Sequence, residues 1–245
     1  SKMIKDINSI LKRELKSFFI TPVAYIYTAI FIVTCMSLTF YFGQYFESGV
    51  ADLSNFFNYI PWIFMFFIPA VTMKSWSEEK RMGTIELLMT LPIPLWKIVT
   101  GKFLATWIFV SLAIILTFPI WITTGYLGDP DNFLIFGTYV GCILMAGGYV
   151  SLGIFFSSLT NNQIIAFIIS IAASFIFTIA GFPLIINVFS SFLPLELLEL
   201  ISNFSFLSHF TTIQSGYFSL SSFIYFITFI FLWNFLTVLK LSDNS

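Results

Sequence analysis

The chain has 245 residues, of which 58% are hydrophobic and only 9% charged, with a net charge of −1 and a mean hydropathy of +0.94. A soluble domain carries about 25% charged residues, so the composition excludes one and specifies an all-α integral membrane protein. No nucleic-acid partner is expected, and the solvent for most of the surface is the lipid bilayer.

The first segment, residues 1–21, places Ile4, Ile7, Leu11, Leu15 and Phe18 on one helical stripe, with lysines and Arg13 elsewhere. That pattern predicts an amphipathic helix on the membrane surface. It lacks the apolar core and small-residue site of a cleavable signal peptide. Pro22 then suits the turn into a first span. A transmembrane helix needs about 20 apolar residues, and six stretches qualify: 22–43, 55–73, 103–126, 133–157, 163–189 and 220–239. Cys35 and Cys142 fall inside such stretches and read as small packing residues.

Between spans two and three lies a charged island, residues 74–102, which holds five of the eleven Lys and Arg residues. Hydrocarbon does not accept a segment this polar, so it must protrude into water. The island reads as a continuation of span two through Trp76–Arg81, a break at Gly83, and a short helix N-capped by Thr84 with Glu86 in its first turn. Pro92 and Pro94 end that helix. Either Ile85, Leu88 and Met89 or Leu87 and Leu91 project from it. The sequence leaves open whether it is a docking surface or folds back onto the bilayer.

Span four carries Gly137 and Gly141 at GxxxG spacing, followed by Gly148 and Ser151. Span five carries Ala166, Ser170, Ser174 and Thr178 at i+4 spacing. Rows of small residues let helix backbones approach closely. Packing within one subunit and a subunit seam or substrate wall both remain open. Gly181 and Pro183 should kink or end span five. The piece 190–219 is too apolar for a free loop and too interrupted for a span. Pro194 is placed in the first turn of a short helix there, with Leu195, Leu198 and Ile201 on one face. The sole histidine, His209, is expected at the interface with a satisfied hydrogen bond.

With six spans and an inner N-terminus, Lys2, Lys5, Lys12, Arg13, Lys16, Lys74, Lys80, Arg81, Lys97, Lys102 and Lys240 all lie inside, and the outer loops hold only acids. That is the positive-inside bias, and one span more or fewer would destroy it. Both termini are therefore expected in the cytoplasm. No ionisable residue falls in the middle of a span, as ion-coupled transporters and voltage sensors require. Energy for any transport must come from another chain.

The run EEKRMGTIELLMTLPIPLWKIVTGKFLA, with Glu78, Glu79, Lys80, Arg81, Gly83, Thr84, Glu86, Leu87, Pro92, Gly101 and Lys102 at its marked positions, resembles the segment after span two in ABC-2 class ABC transporter permeases. The chain is similar throughout to the bacterial gliding-motility and copper-enzyme-maturation types. The resemblance implies one transmembrane domain over 1–245: surface helix 1–21, spans 22–73, coupling segment 74–102, spans 103–189, outer interfacial or re-entrant segment 190–219 and last span 220–239. It implies that Glu78, Glu79, Arg81, Gly83, Thr84, Glu86, Leu87 and Leu88 couple to a separate cytoplasmic ABC ATPase subunit, which holds the ATP and Mg. No cofactor is expected on this chain, which has no GxxxxGK[ST] loop. A second permease chain, identical or a paralogue, is implied, and an auxiliary membrane or periplasmic subunit is allowed. The location implied is the bacterial inner membrane. Two other readings stand beside this one: a non-transporting anchor that passes ATPase motion to a partner protein, and an intramembrane hydrolase using a serine and His209.

Overall fold

The computed structural model describes residues 2–243. Ser1, Asn244 and Ser245, and with them the end of the expected cytoplasmic tail 240–245, lie outside the described residues. The described chain is helical throughout, with α1 (Lys2–Ile20), α2 (Pro22–Ser37, wound into a π turn over Leu38–Phe42), α3 (Ser54–Thr72), α4 (Lys74–Arg81) and α5 (Thr84–Met89). There follow α6 (Leu95–Ile115), α7 (Pro119–Leu127), α8 (Asn132–Leu159), α9 (Gln163–Ile179), α10 (Pro183–Phe189), α11 (Leu195–Asn203), α12 (Phe206–Gln214) and α13 (Leu220–Ser242).

Local signals account for many of these boundaries. Pro22 opens α2 and Pro119 opens α7, where a missing N–H costs nothing. Asp131 caps α8 by accepting from the Leu134 amide at 3.0 Å, and the Asn162 side chain caps α9. The third span is not one helix. It pauses at 116–118 and resumes as α7, and it begins at Leu95, two turns before the expected start.

Helix α8 is the axis, with α3, α6, α9, α12 and α13 packed around it. Its 28 residues span about 42 Å, more than the ~30 Å of a hydrocarbon core. Helices α3 and α4 together run equally long. The end of α8 that meets α4 carries the charged island and is called the charged end below.

The fifth crossing departs from a simple span. Helix α9 leaves the charged end at Asn162 and stops at Ile179, and α10 turns 78° away from it. The Gly181–Pro183 break is thus observed. Helix α12 instead runs from the end of α9 toward the far end of α3. Ser205, at its start, donates to the Thr178 carbonyl at 2.9 Å, while Gln214, at its end, donates to Ser54 O and Asn58 Oδ1 at the opposite end of α3. Among the described residues five helical segments are long and apolar enough to cross a membrane by themselves, and there are six if the bent pair α9–α10 counts as one span. Phe206, Phe210 and Ile213 of α12 are fully buried, so this part of the outer segment packs into the bundle. On α11 only Leu198 is buried. Leu195 and Ile201 are exposed, and Pro194 precedes the helix rather than sitting in its first turn.

Candidate functional site

At the charged end parts of α1, α4, α6 and α8 converge. Helix α4 starts where the Trp76 and Ser77 amides need acceptors, and the Ser157 hydroxyl oxygen of α8 receives both, at 3.0 and 3.1 Å, while donating to Met73 O at 2.9 Å. Lys80 Nζ donates to Ser158 O, one of the last carbonyls of α8, where a cation suits the helix dipole. Burial, then the nearby Lys240, pulls the Lys80 pKa below that of an ordinary lysine. The span-two helix is thereby locked to α8 just before the island turns.

Lys102 is the hub. Its side chain is only 4% exposed, and its Nζ lies 3.1 Å from Glu79 Oε1, 3.3 Å from Glu14 Oε1 and 3.2 Å from Ser75 O. The ammonium sits 5.1 Å from the ring centre of the fully buried Trp76. Glu79 spends its second oxygen on the Thr84 hydroxyl at 2.5 Å, and Arg13 pairs with Glu14 at 2.6 Å. Burial acts to raise the Glu79 pKa. Lys102, the Thr84 hydroxyl and Arg13 outweigh it and hold the carboxyl below its ordinary value. One buried ammonium thus ties α1, α4 and α6 together and, through Thr84, fixes the start of α5.

Helix α1 is docked onto α6, not simply laid on a membrane surface. Asp6 pairs with Lys97 at 2.8 Å, and Phe18 stacks on Phe109 at 5.0 Å between ring centres. Ile10, outside the expected stripe, is the buried contact, and Ile4 of that stripe is exposed. A Cβ at Gly101 would come within 2.7 Å of the Ile10 side chain, so the Gly101-Lys102 pair opens room for α1 and then supplies its ion-pair partner.

Gly83 has φ +70°, a left-handed conformation that ends α4 and redirects the chain into α5. Gly83 itself occupies the cap position. Thr84 is the first helical residue and its hydroxyl points back to Glu79, which corrects the expected Thr84 N-cap. Helix α5 ends at Met89, before Pro92, by closing the Thr90 amide on Glu86 O. Its inner face is settled: Leu88 is buried and Ile85 and Met89 pack on the core. Leu87 is 68% exposed, and Met82 and Leu91 are exposed beside it. Glu78 and Arg81 pair at 2.5 Å on the surface, and Glu86 is exposed.

The rows of small residues lie inside the subunit. Gly137 faces Phe218, Gly141 faces Ile213 and Gly148 faces Phe206, so the outer segment fills the groove on α8. Ala166, Ser170, Ser174 and Thr178 are all fully buried, with the Thr178 hydroxyl 2.5 Å from that of Tyr149. Within this chain they pack helices and leave no open wall. His209 stacks on Tyr225 at 4.0 Å. Its Nε2 donates to Asn203 O at 2.8 Å, which leaves Nδ1 to accept from Ser222 at 3.1 Å. Ser222 is 1% exposed, and this pair joins α12 to α13.

Sequence reasoning named Lys102 and Glu79 but missed Glu14 and Trp76 beside them, and the supporting contacts of Ser157 and Ile10. These residues are distant in sequence from the island or look like ordinary apolar and small residues. The available signal was the two acids, Asp6 and Glu14, in an otherwise basic helix.

An all-helical bundle of membrane-crossing length, with polar helix ends gathered around a buried cation at one end, defines a polytopic membrane protein. The family described as ABC-2 family transporter protein matches residues 41–239, and the chain belongs to that family. It is a multi-pass membrane protein and a permease subunit of an ABC transporter. No curated protein sequence matches the chain.

Proposed function

We propose that this permease couples ATP hydrolysis on a separate cytoplasmic ATPase subunit to export, or to mechanical work, across the bacterial inner membrane, with the charged end and both termini in the cytoplasm. Six crossings put the basic residues on one side, in accord with the positive-inside bias. The observation that carries the coupling assignment is the division of α5 into two faces. Leu88 is anchored in the core, while Met82, Leu87 and Leu91 stand exposed, next to Arg81 and Glu86. An exposed apolar cluster rimmed by charge is the form of a docking surface.

Glu79, Gly83 and Thr84 act in this reading as positioning residues, because they set the angle at which α5 is presented. Force on α5 would reach α3 through α4, and α6 through Lys102, as a rigid-element displacement. A second permease chain, identical or paralogous, completes the transporter, and an auxiliary subunit is compatible with it.

The test is co-purification of the tagged permease with its ATPase from membranes. Leu87→Asp should abolish association and ATPase stimulation while leaving thermal stability unchanged, since Leu87 holds nothing in the bundle. Retained association in both Leu87→Asp and Met82→Asp would sink the docking assignment.

A further inference from the structure

Span two runs from α3 into α4 with only Met73 outside the two helices. In an unbroken helix the Trp76 and Ser77 amides would donate to Thr72 O and Met73 O. Here both donate to Ser157 Oγ of α8, at 3.0 and 3.1 Å, and that hydroxyl donates on to Met73 O at 2.9 Å. A side-chain oxygen from a neighbouring helix has entered the hydrogen-bond ladder, which breaks a helix. Thr72, Trp76, Ser77 and Ser157 are fully buried, so each amide must find its acceptor within the protein. One turn earlier on α8, a Cβ at Gly153 would collide with the Thr72 side chain, so α8 and span two are in tight contact at the break.

A second arrangement satisfies the same groups. Met73 keeps φ −55° and ψ −29°, inside the right-handed helical region, so closing the break crosses no boundary between backbone wells. In the closed arrangement the two amides take Thr72 O and Met73 O. The freed Ser157 hydroxyl then donates to Gly153 O, the i−4 partner open to a helical serine. Three hydrogen bonds are exchanged for three, so neither arrangement leaves a buried donor unpaired. The neighbouring tie, Lys80 Nζ on Ser158 O, is carried on a flexible side chain and follows the movement.

We propose that Ser157 is a positioning residue for coupling: an exchangeable clasp that holds α4 on α8 and releases it when the ATPase drives α5. Release makes span two one continuous helix, so displacement at α5 passes along it into α3. The inference rests on the coupling role given to α5.

The experiment uses the full permease in nanodiscs, with spin labels at Met82→Cys and Leu159→Cys, two exposed positions at the charged end. Cys35 and Cys142 are buried away from the label. On the permease alone the label-to-label distance should lengthen in Ser157→Ala, whose amides have only their own helix to bond. Without labels, Ser157→Ala should still co-purify with the ATPase but lose most of the ATPase stimulation. Ser157→Thr, which keeps the hydroxyl, should restore both the distance and the stimulation. Ser157→Cys keeps the volume but accepts weakly, so it should lose stimulation as Ala does, and it separates the hydrogen bonds from a packing defect. An unchanged distance in Ser157→Ala, or full stimulation by the Ala or Cys variant, would overturn the proposal. Leu87→Asp retaining association while Ser157→Ala still lengthens the distance would sink the docking reading and leave the exchange at Ser157 standing.

Discussion

Lys102 Nζ and Glu79 Oε1 lie 3.1 Å apart, on helices that enter and leave the island, and close it at its base. The pair is the reason a charged stretch of chain holds a defined shape beside a membrane. Removing the cation would leave Glu79 and Glu14 facing each other. Breaking a buried pair from one side costs about 3–5 kcal/mol, and here the lower end applies because both carboxylates keep some contact with water. Lys102→Met should therefore lower the unfolding temperature in detergent clearly and uncouple the ATPase. The double variant Lys102→Met with Glu79→Gln should recover part of the stability, because it removes one of the stranded charges.

The same pair fixes a pH dependence. Glu79 titrates below its ordinary value of 4.5 in the folded state. A depressed carboxylate contributes stability that is fully present above the unfolded value and is lost as pH falls through the folded one. Between pH 7 and 5 the stability gap between wild type and Glu79→Gln should be constant. Below 4.5 it should narrow. Thermal unfolding in detergent over pH 7 to 3 checks this, and a gap that widened on acidification would contradict it.

Gly83 has no atom within 4 Å of a would-be Cβ, so a substitution there meets only the backbone penalty. For an L residue other than Asn or Asp the left-handed conformation costs about 1–2 kcal/mol. Gly83→Ala should weaken ATPase stimulation, Gly83→Asn should do so less, and neither should disturb the bundle. Limited proteolysis at Lys80 and Arg81 reads the local effect separately from global unfolding. Equal impairment by Ala and Asn would show that the turn's conformation is not what matters.

Gly101 and Ile10 form a reciprocal contact. Gly101→Ala places a methyl within 2.7 Å of the Ile10 side chain, which must move. That variant should loosen α1 and expose Lys12 and Lys16 to trypsin. Adding Ile10→Ala should restore protection, because the shortened side chain vacates the space. The double variant behaving no better than Gly101→Ala would rule out this packing as the basis of α1 docking.

Hydropathy was enough to read the all-helical membrane class and to mark the charged island, because a bilayer punishes any polar segment that does not leave it. Gly83 was legible as a break, since only glycine adopts that conformation freely. The Thr84 cap was misread. Its hydroxyl faced a choice between a local amide and the carboxylate of Glu79, and Glu79 is held in place by Lys102 from another helix. The choice between Leu88 and Leu87 as the buried face of α5 could not be made locally either, because six residues give too short a pattern to fix a helix's rotation.

The sequence by itself determined where water must begin and end, what the family resemblance is, and which segment carries the charge. The tertiary structure alone decided that α12 packs into the bundle between the end of α9 and the start of α3, that α1 docks on Gly101, and that one buried ammonium joins Glu14, Ser75 and Glu79. The physical reason is the range of the interactions. Transfer to lipid is summed along a continuous stretch of chain, whereas a buried charge is satisfied by whatever partners the fold brings within about 3 Å, from helices the sequence keeps far apart.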